Sequence, residues 1–245
     1  MTMLSVNLNK IALLRNSRGR DYPNVVEFAE KFIALGVQGI TIHPREDERH
    51  ITRQDAYDLA ELLASKADIE FNIEGYPSAN FLSLVHELKP TQCTLVPDSP
   101  DQLTSDHGWD LNQKSDFLLT VCQALNDDNI RSALFLDPDI EQIKQVPNTK
   151  AQRIELYTES YANTYESGNH QEVFASYKKA AEVAQELGIG VNAGHDLDLV
   201  NLQKFLSIEN VLEVSIGHAL TIESIEQGME SVVAQYLAIC NQSFR

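Results

Sequence analysis

Short apolar runs rich in Val, Ile and Leu recur along this chain, and between them apolar residues return every three or four positions over longer stretches. The first kind of run reads as a strand buried on both faces and the second as a helix with one apolar side. Their alternation predicts repeated βα units on a parallel sheet. Eight strands are predicted: LSVNL (Leu4–Leu8), GITIH (Gly39–His43), EFNIE (Glu70–Glu74), CTLVP (Cys93–Pro97), SALFL (Ser132–Leu136), RIELY (Arg153–Tyr157), GVNAG (Gly190–Gly194) and LEVSIG (Leu212–Gly217). Helical period runs through VVEFAEKFIALG, DAYDLAELLASK and EVFASYKKAAEVAQELG, with Gly188 placed to stop the last. Eight such units in 245 residues match one α/β domain, a (β/α)8 TIM barrel with an eight-stranded parallel core spanning 1–245. A doubly wound open sheet is the alternative that the same alternation allows. The polar stretch LTSDHGWDLNQKSD, between the fourth strand and its helix, is long for a simple connection and reads as a mobile active-site loop.

Composition narrows the setting. The hydrophobic fraction of 43% supports a sizeable core, while the apolar runs are too short to span a membrane. The start MTMLSVNLNK has no basic segment leading into a long apolar one, so a cytoplasmic protein is expected. Cys93, Cys122 and Cys240 form no CxxC pair and leave an odd number, which suits reduced, buried thiols. A net charge of -17 argues against nucleic acid as a partner. Six of the nine arginines nevertheless fall within the first 53 residues, enough for a local site that holds a small anion.

Barrel chemistry collects at the carboxyl ends of the strands. Read there, the chain offers Asn7, Asn9 and Lys10 after strand one, and His43, Arg45 and His50 after strand two. Glu74 follows strand three, Asn192 and His195 strand seven, and His218 strand eight. Histidine and glutamate facing each other in a partly desolvated mouth can titrate near neutrality, which makes His43, Glu74 and His195 candidates for proton transfer. Glu70 shares a face with Glu74 under strand alternation, and Glu74 is preferred because it lies nearer the carboxyl end. No HxH or HExxH spacing occurs, so no metal is expected. Gly194-His195 and Gly217-His218 each end a strand before a helical pattern, LDLVNLQKFL and TIESIEQGMESVV, and a glycine there lets backbone N–H groups approach a phosphate. A simple strand-to-helix turn explains either pair as well.

Together VNLNKIALLRNSRG, GITIHPREDERHI, FNIEG, TLVPD with LTSDHGWD, VNAGH and IGHA resemble the pyridoxine 5'-phosphate synthase family, in order from Val6 to about Ala219. The resemblance implies a (β/α)8 barrel assembled as a homo-octamer. It also implies the joining of two phosphorylated ketones, 1-deoxy-D-xylulose 5-phosphate and 3-amino-2-oxopropyl phosphate, to give pyridoxine 5'-phosphate, phosphate and water with neither metal nor redox cofactor. His43 and Glu74 would accept protons and His195 would donate one. Asn7, Arg18 and the Gly217-His218 turn would hold the aminoketone phosphate, and Arg45, His50 and Thr104 the deoxyxylulose phosphate. Within HPREDERHI some carboxylates would keep the arginines oriented.

Two positions depart from the pattern. Asn9-Lys10 stand where many members have Asp-His; Lys10 can supply charge to a phosphate and Asn9 can hydrogen-bond a hydroxyl. Asp196 stands where a glycine is common; a ligand contact made through its backbone N–H would be unaffected, whereas its carboxylate would oppose an anionic ligand. A different phosphosugar aldolase or isomerase on the same barrel, and a non-catalytic barrel that binds a phosphorylated metabolite, are the competing readings.

Overall fold

In the computed structural model, which describes residues 1–98, 102, 104–168 and 170–242, the eight strands close into a barrel. They are β1 (Met3–Asn7), β2 (Gly39–Ile42), β3 (Glu70–Gly75), β4 (Gln92–Leu95), β5 (Arg131–Leu136), β6 (Arg153–Tyr157), β7 (Gly190–Gly194) and β8 (Val211–Ile216). Each pairs in parallel with its neighbour in sequence, and β1 closes on β8 with Met3 opposite Glu213. The fold is therefore the (β/α)8 barrel, not the open sheet. Observed strand limits differ from the expected ones by one or two residues, with β6 and β7 unchanged.

Parallel strands need both faces covered, and the two faces here are covered differently. Outward residues such as Leu4, Val6, Ile40, Ile42 and Ile73 are fully or almost fully buried against the surrounding helices, where the apolar core sits. Inward residues are largely polar and bond to one another: Ser5 with Thr41 (2.7 Å), Thr94 to Asn72 (3.1 Å), Arg131 to Gln92 (2.9 Å) and Asn192 to Glu213 (2.9 Å). Many barrels fill this space with branched aliphatic side chains. Here a hydrogen-bonded column runs along the axis, and its groups are satisfied mainly by one another. Cys93, Cys122 and Cys240 are all buried free thiols, as the sequence suggests.

Side-chain caps set several helix starts. Asn24 accepts from the Glu27 N–H, Ser78 from that of Phe81, and Thr52 forms a reciprocal capping box with Asp55. Two helical readings need correction. LDLVNLQKFL yields only the helix Leu202–Phe205, because Asp198 and Asn201 take each other's backbone N–H groups and hold a turn. TIESIEQGMESVV is two helices, His218–Gln227 and Met229–Cys240, divided at Gly228 with φ 85°. Among the described residues no helix is long and apolar enough to cross a membrane.

Candidate active site

The carboxyl ends of the strands open on a cavity of about 540 Å³. All the singled-out residues except Arg18 and Asn192 line it, although they come from β1, β2, β3, β7, β8 and the loops beyond; Asn192 bonds to Glu213 in the polar column instead. The helix after β1 ends at Asn16 and the chain turns away through Gly19 (φ 61°), which leaves Arg18 exposed outside the cavity. Arg15 turns inward instead, and Asp55 clamps it with a bond of 2.8 Å from Nη2 beside a second from Nη1.

His43 and Glu74 face each other, with His43 Nδ1 4.0 Å from Glu74 Oε2. Asn9 fixes the backbone beneath His43 by accepting its N–H at 3.0 Å, and Asn7 Nδ2 donates to Glu74 Oε2 at 3.3 Å. Burial, followed by the charges of Arg45, His50 and Arg49, holds the His43 imidazole well below its usual pKa, so it is neutral and able to accept a proton. Glu74 moves the other way: burial first, then the nearby carboxylates of Glu155 and Glu213, pushes it well above the ordinary range. Glu70, at the opposite end of β3, pairs with Arg131, so the strand's two glutamates are separated in role by position alone.

His195 sits where β7 turns, with φ 85°, followed by Asp196 with φ 58°. Two consecutive non-glycine residues in the left-handed region cost on the order of 1–3 kcal/mol each, and surrounding bonds must hold them. Thr158 does so through its hydroxyl, which donates to the Gly194 carbonyl at 2.7 Å and to that of His195. The imidazole then lies between Thr104 Oγ1 (3.2 Å from Nε2) and Asp196 Oδ2 (3.1 Å from Nδ1), edge-on to the Tyr157 ring. Bonding to His195 keeps the Asp196 carboxyl below its usual pKa, so Asp196 faces the imidazole as an anion. Leu103 of the long loop lies outside the described residues, whereas Thr104 reaches the cavity.

Cationic groups gather on the β2 side. Arg45 Nη2 lies 2.5 Å from Asp98 Oδ2, and both Arg45 and Arg49 donate to the Gln102 carbonyl, at 3.1 and 3.0 Å. The carboxylate that orients Arg45 thus comes from beyond β4, while Asp47 of the same segment orients Arg49. His50 accepts the Ile51 N–H at Nδ1 (2.9 Å), which leaves the proton of the neutral ring on Nε2 as a donor. Burial and then Arg45 and Arg49 take its pKa down to about 4, so it hydrogen-bonds an anion without carrying charge. Lys10, from the other strand end, adds a positive charge near both His50 and Asp196.

On the β8 side Gly217 begins the ten-residue helix His218–Gln227 with no side-chain cap, so its first N–H groups are open to the cavity mouth. A Cβ at Gly217 would stand 3.0 Å from Asn7 Cβ and 3.2 Å from the Asn7 carbonyl, a close approach that glycine permits. Sequence reasoning missed Glu155 and Arg49, which also line the cavity. The signal for Glu155 was present, since a glutamate at the centre of the apolar run RIELY must point along the barrel axis. Among the described residues no group of three or more His, Cys, Asp or Glu side chains is arranged to hold a metal ion.

Comparison with known proteins places these observations. The family model for the pyridoxal phosphate biosynthesis protein PdxJ matches residues 4–242. Pyridoxine 5'-phosphate synthase of Bacteroides thetaiotaomicron is 50% identical over 96% of this chain and 98% of its own. That of Flavobacterium johnsoniae is 50% identical over 97% and 98%, and that of Parabacteroides distasonis 46% over 98% and 100%. The solved structure of phosphoribosyl anthranilate isomerase from Thermus thermophilus superposes with a TM-score of 0.58 at 14% identity, covering 97% of this chain and 100% of that one, a likeness of fold alone.

Proposed function

This chain belongs to the PdxJ family, and on that premise we propose that it joins 1-deoxy-D-xylulose 5-phosphate to 3-amino-2-oxopropyl phosphate, releasing pyridoxine 5'-phosphate, phosphate and water. The observation that carries the reading is a single cavity with an anion grip at each side and proton-transfer groups between. Arg45, His50 and Thr104, joined by Lys10 and Arg49, face one phosphate. Asn7 and the uncapped helix start at Gly217-His218 face the other. Arg18 lies outside the cavity and is left out of this assignment.

Between the grips, neutral His43 and Glu74 in its carboxylate form accept protons, the raised pKa of Glu74 making that carboxylate the stronger base, and His195 donates. Amine addition to a carbonyl, dehydration, phosphate loss and ring closure each move protons on carbon, nitrogen or oxygen. Positioned acids and bases contribute roughly 10²–10⁴-fold at such a step. Holding both substrates across one cavity supplies much of the remaining acceleration by converting a bimolecular step into an intramolecular one. In this reading the chemistry needs no metal, and Asn9-Lys10 is a variation in the sugar-phosphate grip that keeps a charge and a hydrogen-bonding amide. Asp196 serves through His195, whose ring it orients. Assembly as a homo-octamer in the cytoplasm belongs to the same reading.

The test supplies both substrates in the presence of a chelator and follows pyridoxine 5'-phosphate and released phosphate. Product at a rate unaffected by the chelator is expected. Folded protein that turns over other phosphorylated ketoses but not this pair would favour an aldolase or isomerase.

A further inference from the structure

We propose that the apolar patch formed by Val96, Phe135 and Tyr157 selects the deoxy sugar of the reaction proposed above, on which this inference rests: it seats the C1 methyl group and rejects a ketose phosphate that carries a hydroxyl there. D-Xylulose 5-phosphate differs from 1-deoxy-D-xylulose 5-phosphate by that hydroxyl alone. The phosphate grip and the acid and base groups act at other atoms, so they serve both sugars alike. Discrimination therefore falls to the side chains that meet C1.

The geometry supports this role. Val96, Phe135 and Tyr157 form a hydrophobic cluster of their own, separate from the main core between strands and helices. Val96 and Phe135 line the cavity, and Tyr157 backs them. The three stand at or near the carboxyl ends of β4, β5 and β6, a stretch of wall that faces β8, β1 and β2 across the closed barrel. Arg45 and His50 hold the sugar phosphate on the β2 side, so a five-carbon chain laid across the mouth points its other end at this patch. The remaining apolar residues at the cavity, Leu13, Leu197, Ile216 and Ala219, belong to the β1, β7 and β8 side, where the aminoketone phosphate is held.

The patch is fixed in place. The Val96 N–H donates to the Gly75 carbonyl at 3.0 Å, and the Phe135 carbonyl accepts from the Trp109 N–H at 3.0 Å. The Phe135 and Tyr157 rings pack with centroids 5.2 Å apart. Polar atoms beside the patch are engaged elsewhere. The Tyr157 hydroxyl donates to Glu159, while Glu155, the register partner of Phe135, sets Oε1 against Gly194 and Oε2 at 3.5 Å from Thr94 Oγ1. A methyl group gains by leaving water for such a surface, whereas a hydroxyl placed there gives up its water without a replacement. An apolar pocket rejects an added hydroxyl by about 10²-fold.

The test compares kcat/KM for the two ketose phosphates, with the aminoketone phosphate saturating and released phosphate as the readout. The wild type should prefer the deoxy sugar by about 10²-fold. Val96→Thr keeps the side chain's shape and adds a hydroxyl that can bond the one on C1, so it should narrow the preference by about tenfold. Equal use of the two sugars by the wild type, or a preference that Val96→Thr leaves unchanged, would overturn the proposal. If Val96→Thr does not fold, Val96→Ala decides. It opens room for the hydroxymethyl group: a narrowed preference supports the role, and an unchanged one overturns it. Failure of the functional reading itself would show separately, as absence of product from the wild type with the deoxy sugar.

Discussion

Replacing Asp98 with Ala removes the carboxylate that holds Arg45. The two side chains are 3% and 8% exposed, and Asp98 Oδ2 also accepts from Ser105 at 2.8 Å, so the change strands a largely buried guanidinium. Breaking one half of a buried pair costs about 3–5 kcal/mol. Two features place this case at the lower end. Arg45 keeps its bond to the Gln102 carbonyl, and Asp98 Oδ1 is buried with no hydrogen-bond partner among the described residues. A loss of about 3 kcal/mol corresponds to a fall in Tm of roughly 6–12 °C for a chain of this size. The functional effect is larger in proportion, because an unanchored Arg45 no longer presents a fixed edge to the sugar phosphate. Loss of one charge-assisted hydrogen bond, worth about 1.5–3 kcal/mol, raises KM for deoxyxylulose phosphate by about 10- to 100-fold. KM for the aminoketone phosphate stays unchanged. Thermal melts with steady-state kinetics on each substrate measure both effects. A Tm within about 2 °C of wild type together with an unchanged KM would refute the claim that Asp98 positions Arg45.

His43→Asn should lower kcat by about 10²–10⁴-fold without unfolding the barrel. Because burial and neighbouring charges hold His43 and His50 below the ordinary imidazole value, both bind protons more readily in the unfolded chain. Their contribution to stability is therefore present above about pH 6.5 and is lost as pH falls from there toward the folded values, which denaturant titrations against pH will show. Asp55 has the opposite balance between its forces: burial would raise its pKa, but bonds from Arg15 and Thr52 outweigh burial and depress it. Its stabilisation is present above the ordinary aspartate value and lost as pH falls through the folded one, so Asp55→Asn should flatten the acid limb of the stability curve below about pH 4. Gly217→Ala must move Asn7 by a few tenths of an ångström, and it should raise KM for the aminoketone phosphate while sparing the other substrate.

The barrel was legible because strands covered on both sides leave continuous apolar runs, of which GITI is the plainest. Most of the site was legible for a related reason: the fold brings strand ends to one mouth, so naming the last residues of β1, β2, β3, β7 and β8 names most of the cavity. What escaped depended on distances that a linear reading cannot supply. Arg18, which the resemblance assigns to the aminoketone phosphate, lies exposed beyond the helix that ends at Asn16, and where a helix stops is not fixed by periodicity. The Asp98–Arg45 pair joins residues 53 positions apart, and nothing local to either announces it. Glu155 was hidden inside a run read as apolar, although a buried glutamate in a strand is itself a signal. The polar column of which it is part was missed because an apolar run draws attention to the outward face and leaves the inward one unread.

The central claim is that two phosphates are gripped on opposite sides of one acid and base centre. The most direct measurement is a crystal structure of the Glu74→Gln variant, arrested before turnover, soaked with both substrates. One phosphate should lie within hydrogen-bond distance of Arg45 and His50, and the other against the N–H groups at Gly217-His218, with His43 and His195 between them. Both phosphates on one side, or either bound outside the cavity, would contradict it.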